Sequence, residues 1–134
     1  MQKIRYSKER LKSNLRIGLF FLITGIVLLI ISITTTKWEE VSIFSIGFGQ
    51  ALAGIFMLII YYFENKLQYL TITNGEIVKN TLFFKKIKIS EIKLTKEFAG
   101  DLILKTDKEE FLINTQIIEP ASLTYLKNSL KSWL

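Results

Sequence analysis

Two apolar runs, IGLFFLITGIVLLIISI at residues 17–33 and VSIFSIGFGQALAGIFMLIIYYF at residues 41–63, decide how this chain is built. Neither contains a charged residue. Each extends to the ~17 to 25 residues that an α-helix needs to cross a ~30 Å hydrocarbon core. The thirteen Ile, Leu, Val and Phe residues of the first run, at roughly −0.3 to −0.6 kcal/mol each near the bilayer centre, sum to about −4 to −8 kcal/mol in favour of insertion. A cleaved signal peptide fits less well, because the run exceeds the usual ~7 to 15 residues and Ser32-Ile33-Thr34 imitates a cleavage site poorly. The expectation is a membrane hairpin, with a basic leader at 1–16, a first span at 17–35, a connector at 34–40, a second span at 41–63 and a further domain at 64–134.

Orientation follows from charge. Lys3, Arg5, Lys8, Arg10, Lys12 and Arg16 precede the first run against a single acid, Glu9, whereas the connector holds Lys37, Glu39 and Glu40. Basic residues stay inside, so both termini are expected in the cytoplasm, as in a bacterial inner-membrane protein, with Tyr61, Tyr62 and Trp38 at the two interfaces. The leader supplies much of the net charge of +6. Its six cations also suit anionic lipid or nucleic acid, but nothing else in the chain supports nucleic-acid binding, and a topology signal accounts for them.

Composition removes whole classes of chemistry. The 134 residues are 49% hydrophobic, with a mean hydropathy of +0.31, and the excess lies in the first half. No cysteine and no histidine occurs. Disulfides, thiolate metal sites, cysteine nucleophiles and imidazole acid/base catalysis are thereby excluded. No nucleophile elbow, Gly-rich phosphate loop or metal-ligand spacing is present, so neither an enzyme nor a cofactor is expected. Glu109 and Glu110 would point to opposite faces of a strand, which suits solvent better than paired-carboxylate catalysis.

Within the second run, Gly47, Ala51 and Gly54 fall on one helical face, and Gly49 with Ala53 on a neighbouring one. Small residues at this spacing let another helix backbone approach closely. The nearest partner is the first helix, through Gly18 or Gly25, and self-association or another membrane protein are the alternatives. Gln50 is the only amide in either run and needs a hydrogen-bond partner such as Thr24, Ser45 or a second Gln50. With no intramembrane acid or base, transport would require oligomers.

From Glu64 onward the periodicity becomes strand-like. Leu67–Thr73 alternates and ends at Asn74-Gly75, a strong hairpin signal, and Glu76–Asn80 returns. Phe84–Ser90, Ile92–Phe98, Asp101–Thr106 and Glu109–Asn114 follow, with turns at Ala99-Gly100 and Asp107-Lys108, making about six antiparallel strands in an α+β domain. Pro120 suits the first position of a helix whose Leu123, Leu126, Leu130 and Trp133 share a face that covers the sheet, with Lys127 and Lys131 in solvent. Only Glu64-Asn65-Lys66 separates this domain from the second run.

A two-helix hairpin followed by Leu70-Thr71-Ile72-Thr73-Asn74-Gly75-Glu76-Ile77, then Lys86-Ile87-Lys88-Ile89-Ser90-Glu91-Ile92, a hairpin and an amphipathic helix, resembles the small bacterial membrane proteins that carry a pleckstrin-homology-like (PH-like) domain. The resemblance covers nearly the whole chain through the order of its parts. It implies a curled sheet closed by a terminal helix, of which about six strands are readable here against seven in the full barrel, and a membrane-tethered binding or scaffolding role.

One surface segment stands out. Phe83 and Phe84 beside Lys85, Lys86 and Lys88 suit contact with anionic lipid, the aromatics in the interface and the ammonium groups on phosphate. The plainer expectation puts both phenylalanines in the core and the lysines in water or on a sheet edge. The function these residues support is a non-enzymatic membrane-anchored adaptor, an accessory subunit or scaffold for another membrane protein. The alternatives are an anionic-lipid-sensing clamp and a small oligomeric transporter.

Overall fold

The computed structural model describes residues 1–35, 37–38 and 41–133, with the backbone alone at Lys37 and Trp38. Thr36, Glu39, Glu40 and the interfacial role expected of Trp38 therefore lie outside the described residues. In chain order the elements are β1 (Gln2–Ile4), α1 (Lys8–Ile31), β2 (Lys37–Trp38), β3 (Val41–Ser42), α2 (Ile43–Leu67), β4 (Leu70–Thr73), β5 (Glu76–Lys79), β6 (Lys85–Lys88), β7 (Leu94–Phe98), β8 (Asp101–Lys105), β9 (Glu110–Asn114) and α3 (Pro120–Trp133). Short 3-10 turns occupy Ile89–Glu91 and Thr115–Ile117. Two units result, one of residues 11–63 and one that joins 1–10 to 64–134.

Both helices of the first unit are long and apolar enough to cross a membrane. They outrun the apolar segments that define them. Helix α1 starts nine residues before Ile17, at Lys8, because Ser7 caps it: the Ser7 hydroxyl accepts from the Arg10 backbone N–H at 3.3 Å, and the Lys, Arg, Glu and Leu residues that follow are good helix formers. It ends at Ile31, short of the 35 expected from hydropathy. Ser42 caps α2 in the same way, through the Ser45 N–H at 3.3 Å. Glu64-Asn65-Lys66, expected as a linker, is the last turn of α2. Ile23, Ile30, Phe20, Phe44 and Phe56 all stand exposed, so the apolar surface faces away from the helix pair. Such a belt suits the hydrocarbon core of a bilayer.

In the second unit the strands form two antiparallel sheets, one ordered β1-β4-β5-β6 and the other β7-β8-β9. Six of these seven strands fall close to the segments expected from sequence. The seventh comes from the leader. Gln2, Lys3 and Ile4 pair with Ile72, Thr71 and Leu70, so the residues before the hairpin complete a sheet made by residues after it. The physical reason is alternation: Ile4 and Tyr6 point inward, 0% and 3% exposed, while Lys3 and Arg5 point out.

Residues 5–7 then continue along the segment that leads into α3. Ser7 N–H donates to the Ile117 carbonyl at 2.8 Å, the Glu119 N–H donates to the Arg5 carbonyl at 2.9 Å, and Arg5 N–H donates to the Ser122 hydroxyl at 3.2 Å. One stave thus links the four-stranded sheet to the chain that leaves the three-stranded one. Ile4, Leu70 and Ile77 of the four-stranded sheet, Leu104, Phe111 and Ile113 of the three-stranded one, and Leu126 of α3 are each fully buried and form the core. Helix α3 begins at Pro120, as its fixed φ and missing N–H favour, and buries Leu126 and Leu130.

Two turns show how local chemistry serves this core. At Asn74-Gly75 only the glycine takes positive φ, 97°, which suits a type II turn and explains why glycine follows asparagine there. At the end of α2, Gln68 adopts φ 61° without being glycine, a conformation that costs an L-residue about 1–2 kcal/mol. Its side chain offsets this cost.

Because β1 contributes both a ladder and a buried isoleucine, Ile4→Asp should unfold the sheet while leaving the helices intact. Burying an unpaired carboxylate here costs several kcal/mol, on the order of the whole stability of a small domain. Limited proteolysis of the full-length protein in detergent would check this, with cleavage expected between 68 and 119 and none within α1 or α2.

Candidate functional site

The small-residue stripe lies in the contact between the two helices. Gly47, Ala51 and Gly54 are buried on α2, and Gly18 and Gly25 on α1. A Cβ on Gly25 would stand 2.5 Å from the Ala51 nitrogen and 2.8 Å from the Gly47 carbonyl oxygen; one on Gly54 would stand 2.5 Å from the Leu22 nitrogen and 2.8 Å from the Gly18 carbonyl oxygen. These are backbone atoms, so a larger residue drives the helices apart. Gln50 meets Thr24, whose hydroxyl donates to the Gln50 amide oxygen at 3.0 Å. The stripe is therefore engaged within the hairpin. Gly49 and Ala53 face outward, and Gly49 has open space beside it.

Within the second unit, among the residues of the first turn of α1, the last turn of α2 and the strands beside them, lies a compact polar cluster that sequence reading missed. Arg10 Nη2 lies 2.9 Å from Glu64 Oε1, and the guanidinium stands 5.1 Å from the centre of the Tyr6 ring. Tyr6 in turn packs on Tyr69, ring centres 5.2 Å apart. Gln68, 4% exposed, accepts from the Tyr6 N–H at 3.1 Å through Oε1 and donates through Nε2 to the Asn65 carbonyl at 2.6 Å. These bonds hold its left-handed backbone in place and satisfy a buried amide that would otherwise be costly. The Tyr69 hydroxyl accepts from the Asn114 N–H at 3.0 Å, reaching the last strand of the other sheet. The one signal for this cluster was the inward period of Ile4 and Tyr6 in the leader.

The Phe83–Lys88 segment divides by face. Phe83 and Phe84 are not in the core: with Leu82 they are 89%, 67% and 80% exposed on the β5–β6 loop. They lie outside the regular strands, so the alternation that would turn one of them inward does not apply. Lys86 and Lys88 lie on the outer face of β6, with Lys86 3.9 Å from Glu76. Lys85 takes the opposite face. Its ammonium donates to the Glu110 carbonyl at 2.9 Å and lies 3.2 Å from Glu109.

Lys79, paired with Lys85 across the strands, donates to the Leu112 carbonyl at 2.7 Å. The two ammonium groups stand 5.1 and 6.0 Å from the centre of the buried Phe111 ring. They cap carbonyls on the free edge of β9, a device that satisfies polar groups and blunts an edge at once. Burial, with Lys85 beside it, holds the Lys79 ammonium below its ordinary pKa, against the opposing charge of Asp101.

On the three-stranded sheet, β7 is an edge strand with Leu94 and Phe98 exposed. A cleft of about 450 Å³ beside it is lined by Thr95, Glu97, Leu102, Lys127, Leu130 and Lys131, with Lys127 2.8 Å from Glu97. Among the described residues no three Asp or Glu side chains gather as a metal-ligand group. No protein-family model, curated protein or solved structure matches the chain.

Two predictions follow from this geometry. Gly54→Leu should destabilise the hairpin by about 1–3 kcal/mol or more through overpacking, whereas Gly49→Leu should stay within about 0.5 kcal/mol; the aggregation temperature in a mild detergent reads both. Burial, then the Glu64 charge, pushes the Tyr6 phenol up to about 12, with Arg10 pulling the other way. The fold thus favours the neutral phenol. Its contribution is complete below the ordinary value of 10.0 and is lost as pH rises through about 12. The tyrosinate absorbance removed by Tyr6→Phe should accordingly titrate near the upper value and not the lower.

Proposed function

We propose that this chain is a two-pass protein of a bacterial cytoplasmic membrane, both termini inside, whose PH-like domain is a non-enzymatic binding module serving as adaptor or accessory subunit for another membrane protein. The observation that carries the reading is the strand count. Six strands after the hairpin and Gln2–Ile4 before it make seven, divided four and three, with a C-terminal helix over the core. That arrangement supports the PH-like identity, and the basic residues around Lys8 and Lys66 support the inside placement of the domain. Fold alone does not carry activity, so the binding role rests on surfaces.

The stripe of Gly47, Ala51 and Gly54 is spent on the first helix, which moves the partner surface to the domain. The β7 edge supports this best: it offers unpaired backbone groups on one side, exposed Leu94 and Phe98, and a neighbouring cleft. An extended segment of a partner would add there as a further strand, main-chain bonds giving affinity and the side-chain pockets giving choice. A foreign membrane protein in fixed ratio should accompany the full-length chain through mild-detergent purification and be lost, by about tenfold or more, from the Leu94→Glu, Phe98→Glu double variant. Recovery of the chain alone, or full retention of the partner by that variant, would overturn the reading.

A further inference from the structure

Across the sheet order β1-β4-β5-β6, one end of the domain has a particular make-up. Strand β4 begins there, at Leu70, just after α2 ends at Leu67. Leu67 itself is four residues past Phe63, the end of the second apolar run. The β5–β6 loop springs from this same end, because Leu70 pairs with Lys79. Its root is pinned to the helix exit: the Asn80 side-chain amide donates to the Leu67 carbonyl at 3.2 Å and to the Thr71 hydroxyl at 2.8 Å, and the Asn80 N–H donates to the Tyr69 carbonyl at 2.9 Å. The loop that carries Leu82, Phe83 and Phe84 into solvent is held in shape by the Thr81 hydroxyl, which donates to the Phe83 carbonyl at 3.0 Å.

On the other side of β4 lies basic surface. Lys3, Arg5 and Lys66 line a cleft of about 320 Å³ with Gln2, Asn65 and Gln68, and Lys3 Nζ donates to the Lys66 carbonyl at 3.1 Å. The end from which the apolar helix departs thus bears an apolar finger on one flank and a cationic cleft on the other. Three consecutive apolar side chains this exposed are unfavourable in water. Apolar tips beside cations match the boundary between acyl chains and anionic headgroups, where aromatic rings and ammonium stems both find their preferred surroundings.

We infer that this end of the domain is a lipid-contacting rim: Leu82, Phe83 and Phe84 enter the membrane interface while Lys3, Arg5 and Lys66 take the headgroup of an anionic phospholipid. The rim deepens the binding-module reading and rests on it only in taking the helices as membrane-spanning. A short tether and a pinned loop keep the finger at high effective concentration near the lipid, so even a weak insertion is populated. Insertion restrains the domain and with it the surface presented to a partner.

The chain has no cysteine, so Leu82→Cys and Asn74→Cys accept a single environment-sensitive fluorophore in the full-length protein. Asn74 is the exposed turn at the opposite end of β4. In vesicles of phosphatidylcholine with phosphatidylglycerol, the label at 82 should shift to the blue, be quenched by lipid-borne nitroxide, and be quenched by iodide about threefold less than the label at 74. Phe83→Ser with Phe84→Ser should restore iodide access. Lys3→Gln, Arg5→Gln and Lys66→Gln together should reduce shielding to the level seen in phosphatidylcholine alone.

Equal iodide quenching at 82 and 74 would overturn the rim. So would shielding from iodide without quenching by the lipid nitroxide, which would mark a protein contact in its place. Shielding in the anionic vesicles unchanged by the triple glutamine variant would remove the headgroup cleft. Protein that failed to float with the vesicles would overturn the membrane reading itself, a result distinct from floated protein with a water-exposed label.

Discussion

Everything in the second unit depends on the antiparallel pairing of Gln2–Ile4 with Leu70–Ile72. The pairing joins residues separated by the entire helical hairpin. Without it β4 becomes an edge, Ile4 leaves a fully enclosed core, and residues 5–7 no longer link the sheet to the approach of α3. Closing a loop of this length costs little more entropy than closing one half as long, since the cost grows only with the logarithm of length. A preformed helix pair lowers it further by bringing its two ends together. The hairpin is therefore the connection between two neighbouring strands of a sheet.

That arrangement explains the chemistry gathered where the helices end. The start of α1, the end of α2, the end of β1 and the start of β4 meet there, and each helix terminus brings orphan N–H or C=O groups. Ser7, Gln68 and Asn80 satisfy them with side chains, while Arg10 and Glu64 pair one charge from each helix. The ion pair is partly exposed, 37% and 11% at its two side chains, so its worth is modest and mostly geometric. Tyr6 and Tyr69 supply the apolar contact beneath it.

At the opposite flank the same problem of open edges is solved differently. Strand β9 ends the three-stranded sheet with free carbonyls, and Lys79 and Lys85 reach across to them from β5 and β6. Two like charges would repel in an apolar gap. The Phe111 ring, its centre 5.1 Å from the Lys79 ammonium and 6.0 Å from that of Lys85, offers the negative face of its π-system to both, and Glu109 lies beside Lys85, so the pair is tolerated. Lysines whose sequence suited either lipid contact or a place in water and on a sheet edge are thus split between an edge-capping duty, at Lys85, and the outer face of β6, at Lys86 and Lys88.

What the sequence determined by itself is whatever depends on local periodicity and composition: two apolar helices, six strand positions after Glu64, the Asn74-Gly75 and Ala99-Gly100 turns, the face of α3 that carries Leu126 and Leu130, and the small-residue stripe on α2. Each of these is set by neighbours three, four or two residues away along one element. Tertiary structure alone decided the rest. Gln2–Ile4 is too short to announce itself as a strand, and its one charge, Lys3, matched a topology signal equally well. Which face Lys85 takes, whether Phe83 is core or surface, and that Glu64 belongs to a helix paired with Arg10 all depend on partners more than twenty residues distant. Such pairings are chosen by whether a core closes and a polar group finds its partner, a condition that no single stretch of sequence contains.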